Sequence, residues 1–271
     1  MADNQYMTLN NGVNMPMVGF GTWTLKGQQG KKIILDALAA GYRLIDTAHM
    51  YGNEDIVGEA VAESRIPRDE IFITTKLCGT RAGYKLACQG IEESLDRLQT
   101  DYIDLLLIHE PYAEAAEMYC ALTEAYRSGK VRAIGISNFN AREYLTFIET
   151  CGIIPMVNQV ECHVYYRRKE LQQILEAHGT KMQAWSPFTE GQRPIFREPV
   201  LQDVGKKYGK TAAQVALQYL MQQGLSVIPK TSHREHMIEN LDIFDTTLTP
   251  DDIDEIYQLE TGKTLFGWYD D

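Results

Sequence analysis

Four titratable side chains stand where apolar runs stop. Leu44-Ile45 leads into Asp46, and Tyr51 follows five positions later in Asp46-Thr47-Ala48-His49-Met50-Tyr51-Gly52-Asn53-Glu54. Ile71-Phe72-Ile73-Thr74-Thr75 ends in Lys76, and Ile103-Asp104-Leu105-Leu106-Leu107-Ile108 ends in His109. Such runs read as strands, and in a parallel barrel their C-terminal ends share one rim. A phenol has a reference pKa of about 10, which a neighbouring ammonium lowers by stabilising phenolate. Lys76, held by Asp46, is expected to supply that field. Tyr51 could then give a proton to a carbonyl oxygen as hydride reaches the carbon, while neutral His109 donates a second hydrogen bond to that oxygen. This set suits carbonyl reduction and needs no metal. Two other readings use the same residues: a structural Asp46–Lys76 ion pair with His109 and Tyr51 as packing groups, and a Schiff-base aldolase with Lys76 as nucleophile.

The elements that must position these groups alternate along the chain. Strand-like runs cover 18–21, 43–45, 71–75, 103–108, 131–136, 156–160, 182–185 and 226–228. Between them, apolar residues spaced three and four apart predict helices over 33–40, 56–62, 87–98, 113–126, 144–148, 171–177 and 212–220. A strand every roughly 25 to 45 residues, each followed by a helix, is the pattern of βαβ units and a parallel sheet. Eight such strands predict an α/β fold, a (β/α)8 TIM barrel. Met7-Thr8-Leu9 and Asn14-Met15-Pro16-Met17 flank Asn10-Asn11-Gly12, a hairpin signal expected to plug the end opposite the site. The patterns 199–208 and 250–259 are two extra helices, the second with Thr249 as cap and Pro250 at the first helical position.

Nucleotide fingerprints of the glycine-rich kind fail. Gly19-Phe20-Gly21 opens a Gly-x-Gly pattern, but Thr24 stands where the third glycine belongs. Gly262-Lys263-Thr264 resembles the end of a P-loop, yet Tyr257 occupies the place of its first glycine.

With 271 residues, 44% apolar and 23% charged, the chain can bury one large core, and no linker-like tract divides it, so 1–271 reads as a single domain. A net charge of −11 argues against nucleic acid or anionic membrane as partner and leaves small molecules. Residues 1–6 lack a signal pattern and the longest apolar stretch, 105–108, is far too short to span a bilayer, so a soluble cytoplasmic protein is expected, and a monomer is the expected assembly. Five scattered cysteines without a Cys-x-x-Cys pair predict neither a disulfide framework nor a zinc site. His233 and His236 have helical metal-ligand spacing but no third ligand. Cys78, two residues past Lys76, reads either as a nucleophile beside a cation or as a space-filling thiol.

A set of motifs now becomes specific. Asp46-Thr47-Ala48 with Tyr51-Gly52-Asn53-Glu54, Thr75-Lys76-Leu77, Gly129-Lys130-Val131-Arg132 leading to Gly135-Ile136-Ser137-Asn138-Phe139, Asn158-Gln159-Val160-Glu161, Ala184-Trp185-Ser186-Pro187 and Ile228-Pro229-Lys230-Thr231 follow in order. In these the chain resembles the aldo-keto reductases over essentially its whole length, and the compact prokaryotic 2,5-diketo-gluconate reductases in particular. The resemblance implies Asp46, Tyr51, Lys76 and His109 as the catalytic tetrad. It also implies a nicotinamide cofactor, NADPH with NADH as a second choice, laid extended across the rim. Ser137, Asn138 and Gln159 would hold the carboxamide, and Trp185 would stack on the nicotinamide. Ser186, Phe188 and Glu190 would follow the pyrophosphate and ribose, and Lys230, Thr231 and Ser232 would meet the 2′-phosphate. Gly21, Thr22, Asp46, Glu239 and Asn240 complete the expected cofactor contacts.

Departures from the family bear on specificity. His236 stands where an arginine often contacts the 2′-phosphate, which predicts a weakened NADPH preference, with Arg234 near enough to compensate. The expected substrate contacts are Trp23, Tyr51, Cys78, His109 and Glu110. Cys78 and Glu110 both replace tryptophans, so the mouth should be wider and more polar. Glu110 is expected to point away into solvent. The function expected is NAD(P)H-dependent reduction of aldehydes or ketones to alcohols. The alternatives are a non-catalytic nicotinamide-sensing barrel and the Lys76 aldolase.

Overall fold

The chain enters as an antiparallel hairpin, β1 (Tyr6–Thr8) and β2 (Asn14–Pro16), in the computed structural model, which describes residues 5–267. Its connection runs from Leu9 to Val13, longer than a two-residue Asn-Gly turn, with Gly12 at φ +86° where a side chain would be strained. Asn11 Nδ2 donates to the Arg132 carbonyl at 2.9 Å, Ser226 Oγ donates to the Pro16 carbonyl at 3.2 Å, and Met15 is fully buried. These contacts seat the hairpin under the N-terminal ends of the barrel strands, as expected of a plug.

Those strands are β3 (Phe20–Gly21), β4 (Leu44–Asp46), β5 (Phe72–Leu77), β6 (Leu105–Ile108), β7 (Ile134–Ser137), β8 (Val157–Glu161), β9 (Lys181–Trp185) and β10 (Ser226–Val227). They pair in chain order, every pair parallel. The ring closes through a parallel bridge between Val18 and Val227, with Gly19 N donating to Val227 O at 2.8 Å and Gly21 N to Pro229 O at 3.1 Å. Strands covered by helices on one side and barrel core on the other have no wet face. Accordingly every residue of β4 through β8 is buried. At Gly135 a Cβ would meet the Val157 carbonyl at 2.4 Å, so only glycine lets β7 lie this close to β8.

Around the strands lie α1 (Gly27–Ala40), α2 (Glu54–Ser64), α3 (Tyr84–Leu98), α4 (Ala115–Arg127), α5 (Ala141–Ile148), α6 (Lys169–Ala177), α7 (Pro199–Tyr208), α8 (Ala212–Gln222), α9 (Arg234–Leu241) and α10 (Pro250–Tyr257). Helix α3 buries Ala87, Gly90, Ile91, Ser94, Leu95 and Leu98, one stripe spaced three and four apart. The extra helices are α7 and α10, and Thr249 with Asp252 forms the cap of α10 as a reciprocal box. Apolar spacing did not reveal α9, which buries only Met237 and Asn240. Among the described residues no helix is long and apolar enough to cross a membrane.

Candidate active site

Asp46 ends β4, Lys76 lies near the end of β5, and His109 follows β6, so three adjacent strands deliver them to one rim. Tyr51 arrives differently. It closes the 3₁₀ turn His49–Tyr51 after β4, and that turn is fixed by its neighbours. Gly52 adopts φ +57° to end it, Lys26 Nζ donates to the Tyr51 carbonyl, and Asn53 Nδ2 donates to Thr22 O at 2.9 Å and Leu25 O at 3.2 Å. Glu54, buried at the start of α2, accepts from Thr75 Oγ1 at 2.6 Å. Asn53 and Glu54 belong to the motif that carries Tyr51, yet their role as anchors emerges only from these bonds.

The Lys76 ammonium is fully buried and uses all three N–H groups. It donates to Asp46 Oδ1 at 2.6 Å, to the Thr47 carbonyl at 3.0 Å and to Tyr51 Oη at 3.3 Å. Asp46 Oδ2 accepts in turn from Gln159 Nε2 at 2.7 Å. The rings of Tyr51 and His109 meet edge-on at 5.7 Å, and Trp23 tilts against Tyr51 at 4.8 Å.

Burial favours the neutral amine of Lys76, but Asp46 and Tyr51 more than offset it and hold the Lys76 pKa above its ordinary value. Lys76 is therefore an ammonium at neutral pH and a poor Schiff-base nucleophile, which argues against the aldolase reading. Burial raises the Tyr51 pKa, with Lys76 opposing and Asp46 reinforcing, and the balance lies above the ordinary phenol value. The lowering expected from Lys76 alone is thus outweighed by desolvation and by the carboxylate behind it. Tyr51 holds its proton at neutral pH, the state in which it can donate. His109 is pushed down to about 3 by burial and by Lys76, so its ring is neutral.

These groups open onto a cavity of about 570 Å³ lined by Gly21, Trp23, Asp46, Met50, Tyr51, His109, Glu110, Ser137, Asn138, Gln159, Trp185, Ser186, Glu190, Ile228 and Lys230. A Cβ on Gly21 would come within 3.1 Å of the Ile228 carbonyl, so glycine keeps this wall clear. Asn138 sits at φ +65°, a conformation asparagine tolerates better than most residues. Its Nδ2 donates to the His109 carbonyl at 3.2 Å and its Oδ1 accepts from Trp185 Nε1 at 2.8 Å, which ties the loops after β6 and β7 to the end of β9. Both N–H groups of Gln159 are used, on Asp46 and on Gln183 at 2.7 Å, so its Oε1 is left as an acceptor.

The residues present fit an extended dinucleotide. Ser186 Oγ is buried in the cavity wall without a hydrogen-bond partner among the described residues, and Lys230 stands exposed on the same wall. The polar side chains of Ser137, Asn138 and Gln159 line the cavity together with the Trp185 indole, which Asn138 holds, a combination that suits a flat aromatic amide. Other expected contacts lie outside the lining. Thr22 is buried with its hydroxyl donated to the Asp46 carbonyl at 2.9 Å, and Phe188 packs on Phe196 at 5.2 Å. Thr231 Oγ1 accepts from His233 N at 3.1 Å just before α9, near exposed Ser232 and His236. Glu239 accepts from Thr211, and Asn240 is buried against Tyr42.

Two substrate-side expectations change. Glu110 does not turn away into solvent: it is half-buried and lines the cavity beside His109. Cys78 is outside the lining, buried beneath the turn that carries His49, because the chain bends away after Leu77 into the 3₁₀ turn Gly79–Arg81. Met50, Ile228 and the supporting Gln183 carried no chemical signal in the sequence. Among the described residues no group of three or more His, Cys, Asp or Glu could hold a metal ion.

The chain thus forms a closed parallel (β/α)8 barrel whose C-terminal rim carries a buried carboxylate and ammonium, a half-buried phenol and a neutral imidazole. Residues 17–261 match the Aldo/keto reductase family. The glyoxal reductase of Bacillus subtilis is 40% identical over 259 residues, covering 95% of this chain and 93% of that protein. An aldo-keto reductase from a Medee basin deep-sea metagenome library superposes with a TM-score of 0.95 at 39% identity, covering 98% of both chains. The Bombyx mori aldo-keto reductase, solved in complex with NADP, superposes with a TM-score of 0.90 at 31% identity, over 98% of this chain and 97% of that one. The chain belongs to the aldo/keto reductase family and is an oxidoreductase.

Proposed function

We propose that this protein reduces small aldehydes, ketones and dicarbonyls to alcohols, with NADPH as cofactor and NADH as a usable substitute. The observation that carries this reading is the 3.3 Å bond from buried Lys76 Nζ to Tyr51 Oη at the cavity wall. Similarity to a glyoxal reductase supports small dicarbonyls as substrates, and similarity to a reductase complexed with NADP supports the cofactor.

Ser137, Asn138 and Gln159 would hold the nicotinamide amide and Trp185 its ring, with Ser186 and Lys230 toward the phosphates. Bound there, the cofactor supplies hydride to the carbonyl carbon. The substrate oxygen is oriented by an N–H of neutral His109 and takes the Tyr51 proton as negative charge develops on it. Lys76 stabilises the phenolate left behind, and Asp46 keeps Lys76 charged and in place. Trp23 and Met50 offer apolar contact, and Glu110 makes the mouth acidic.

Parallel titrations with NADPH and NADH, followed by tryptophan fluorescence and then by oxidation at 340 nm with a small dicarbonyl, test the proposal. The wavelength is the ordinary absorbance of reduced nicotinamide. Tighter NADPH binding, with turnover on either cofactor, is the expected result. Binding without turnover on a broad carbonyl panel would favour a sensing barrel instead.

A further inference from the structure

Outside the cavity, a second cluster carries the relay that activates a nucleophile. Cys78 Sγ lies 3.6 Å from His49 Nδ1 and 3.2 Å from Thr80 Oγ1. On the far side of the same imidazole, His49 Nε2 is 3.3 Å from Glu93 Oε2. Three separate elements build this line: the turn after β4, the end of β5 and the middle of α3. Glu93 is itself held by Arg81 at 2.5 Å and Arg97 at 3.5 Å, and Arg81 and His49 keep its carboxyl below the ordinary range, hence ionised. An ionised carboxylate at Nε2 selects the tautomer with the proton on Nε2, so Nδ1 is the acceptor facing the thiol.

We propose that Cys78, His49 and Glu93 form a thiol modification site for α,β-unsaturated aldehydes and ketones. In the addition, His49 Nδ1 takes the Cys78 thiol proton as Sγ bonds to the β-carbon of the electrophile. The C=C pair shifts toward the carbonyl oxygen as an enolate. His49 then returns the proton to the α-carbon, giving a saturated thioether carbonyl with no other reactant consumed. Glu93 stabilises the transient imidazolium, and the soft β-carbon matches a soft sulfur nucleophile. A thiol present only to fill space has no use for an imidazole aligned at one nitrogen with Sγ and at the other with a carboxylate. Cys78 is 7% exposed, so it is reached past the short turns 49–51 and 79–81. The inference does not depend on the reductase reading, because neither His49 nor Glu93 lines the cavity.

The five free cysteines provide the control, since Cys120 is exposed and Cys162 is buried. A short pulse of N-ethylmaleimide at neutral pH, mapped by peptide mass spectrometry, should label Cys78 faster than Cys120 by about threefold or more if a paired base outweighs exposure. Asparagine at His49 (His49→Asn) should cut the Cys78 rate about tenfold and leave Cys120 unchanged. Glu93→Gln should give a smaller cut, and serves where His49→Asn exposes Cys162 and so reports misfolding. Crotonaldehyde should leave its adduct on the Cys78 peptide of the native protein. Slower labelling of Cys78 than of Cys120, or a Cys78 rate unchanged in both folded variants, overturns the proposal.

Discussion

Gln159 and Asp46 lie on β8 and β4, four strands apart in the eight-stranded ring, and join across the barrel through a 2.7 Å bond from Gln159 Nε2 to Asp46 Oδ2. The same nitrogen donates to Gln183 Oε1 at 2.7 Å. One amide thus couples Gln183 on β9 to the carboxylate that anchors Lys76.

Replacing Gln159 by leucine leaves Asp46 Oδ2 and Gln183 Oε1 buried without this donor. An orphaned buried group costs about 1–3 kcal/mol. Urea unfolding of Gln159→Leu should show a loss of that order, together with weaker nicotinamide binding in the fluorescence titration. Unchanged stability would mean that the cross-barrel bond contributes nothing.

Tyr51→Phe removes one hydroxyl from the cavity wall and leaves Trp23 packed on the ring. Loss of a positioned general acid lowers rates by about 10²–10⁴. The turnover number should fall by at least that range while the cofactor dissociation constant stays within about twofold, the ordinary scatter of a substitution that adds no new contact. Near-normal turnover would remove Tyr51 from the proton-donor role.

Lys76→Met leaves the Asp46 carboxylate, 2% exposed, without its counter-ion. Breaking a buried pair in this way costs about 3–5 kcal/mol. Adding Asp46→Asn should restore part of that stability without restoring activity, as a double-mutant cycle by denaturant unfolding can measure. In the wild type the raised Lys76 pKa binds a proton more tightly in the folded state. Its contribution is complete below the unfolded lysine pKa and is lost as pH rises through the folded value, so stability should decline in the alkaline range above about 10.

His109 works in the opposite pH range. Its folded pKa of about 3 lies below the ordinary 6.5, so between those values the unfolded chain binds the proton that the folded ring refuses. Stability is therefore full above 6.5 and falls as pH drops toward 3. Melting temperatures recorded from pH 7 to pH 4 should fall more steeply for the wild type than for His109→Gln, which has no group to protonate there. Equal slopes would assign the acid sensitivity to other groups.

Glu110 presents a half-buried carboxylate to the cavity beside His109, with no ion-pair partner among the described residues. At an effective dielectric of about 20 to 80, a like charge several ångströms away is worth on the order of 1 kcal/mol or somewhat more. Glu110→Gln should raise kcat/KM for 4-carboxybenzaldehyde several-fold relative to 4-nitrobenzaldehyde, and the gain should shrink in high salt. A uniform change for both aldehydes would point to shape rather than charge.

The periodicity of the chain determined a great deal alone. Apolar runs ending in Asp46, Lys76 and His109 specified both the strands and their chemical ends, because a parallel barrel brings all C-terminal ends to one side. Pro250 with Thr249 predicted α10 because a helix start has local requirements. By contrast α9 buries two residues and carries almost no apolar period, so its existence depends on packing against α1 and α8 rather than on pattern.

Only the tertiary structure decided what the side chains face. Glu110 and Cys78 both stand just beyond strand ends, yet one lines the cavity and the other is turned beneath it toward His49. The direction of the Tyr51 pKa likewise depended on burial and on Asp46 behind Lys76, which sum against the single favourable charge. Sequence spacing fixes positions along a strand, whereas desolvation and long-range pairs such as Gln159 with Asp46 arise from residues far apart in the chain that only the closed barrel brings within bonding distance.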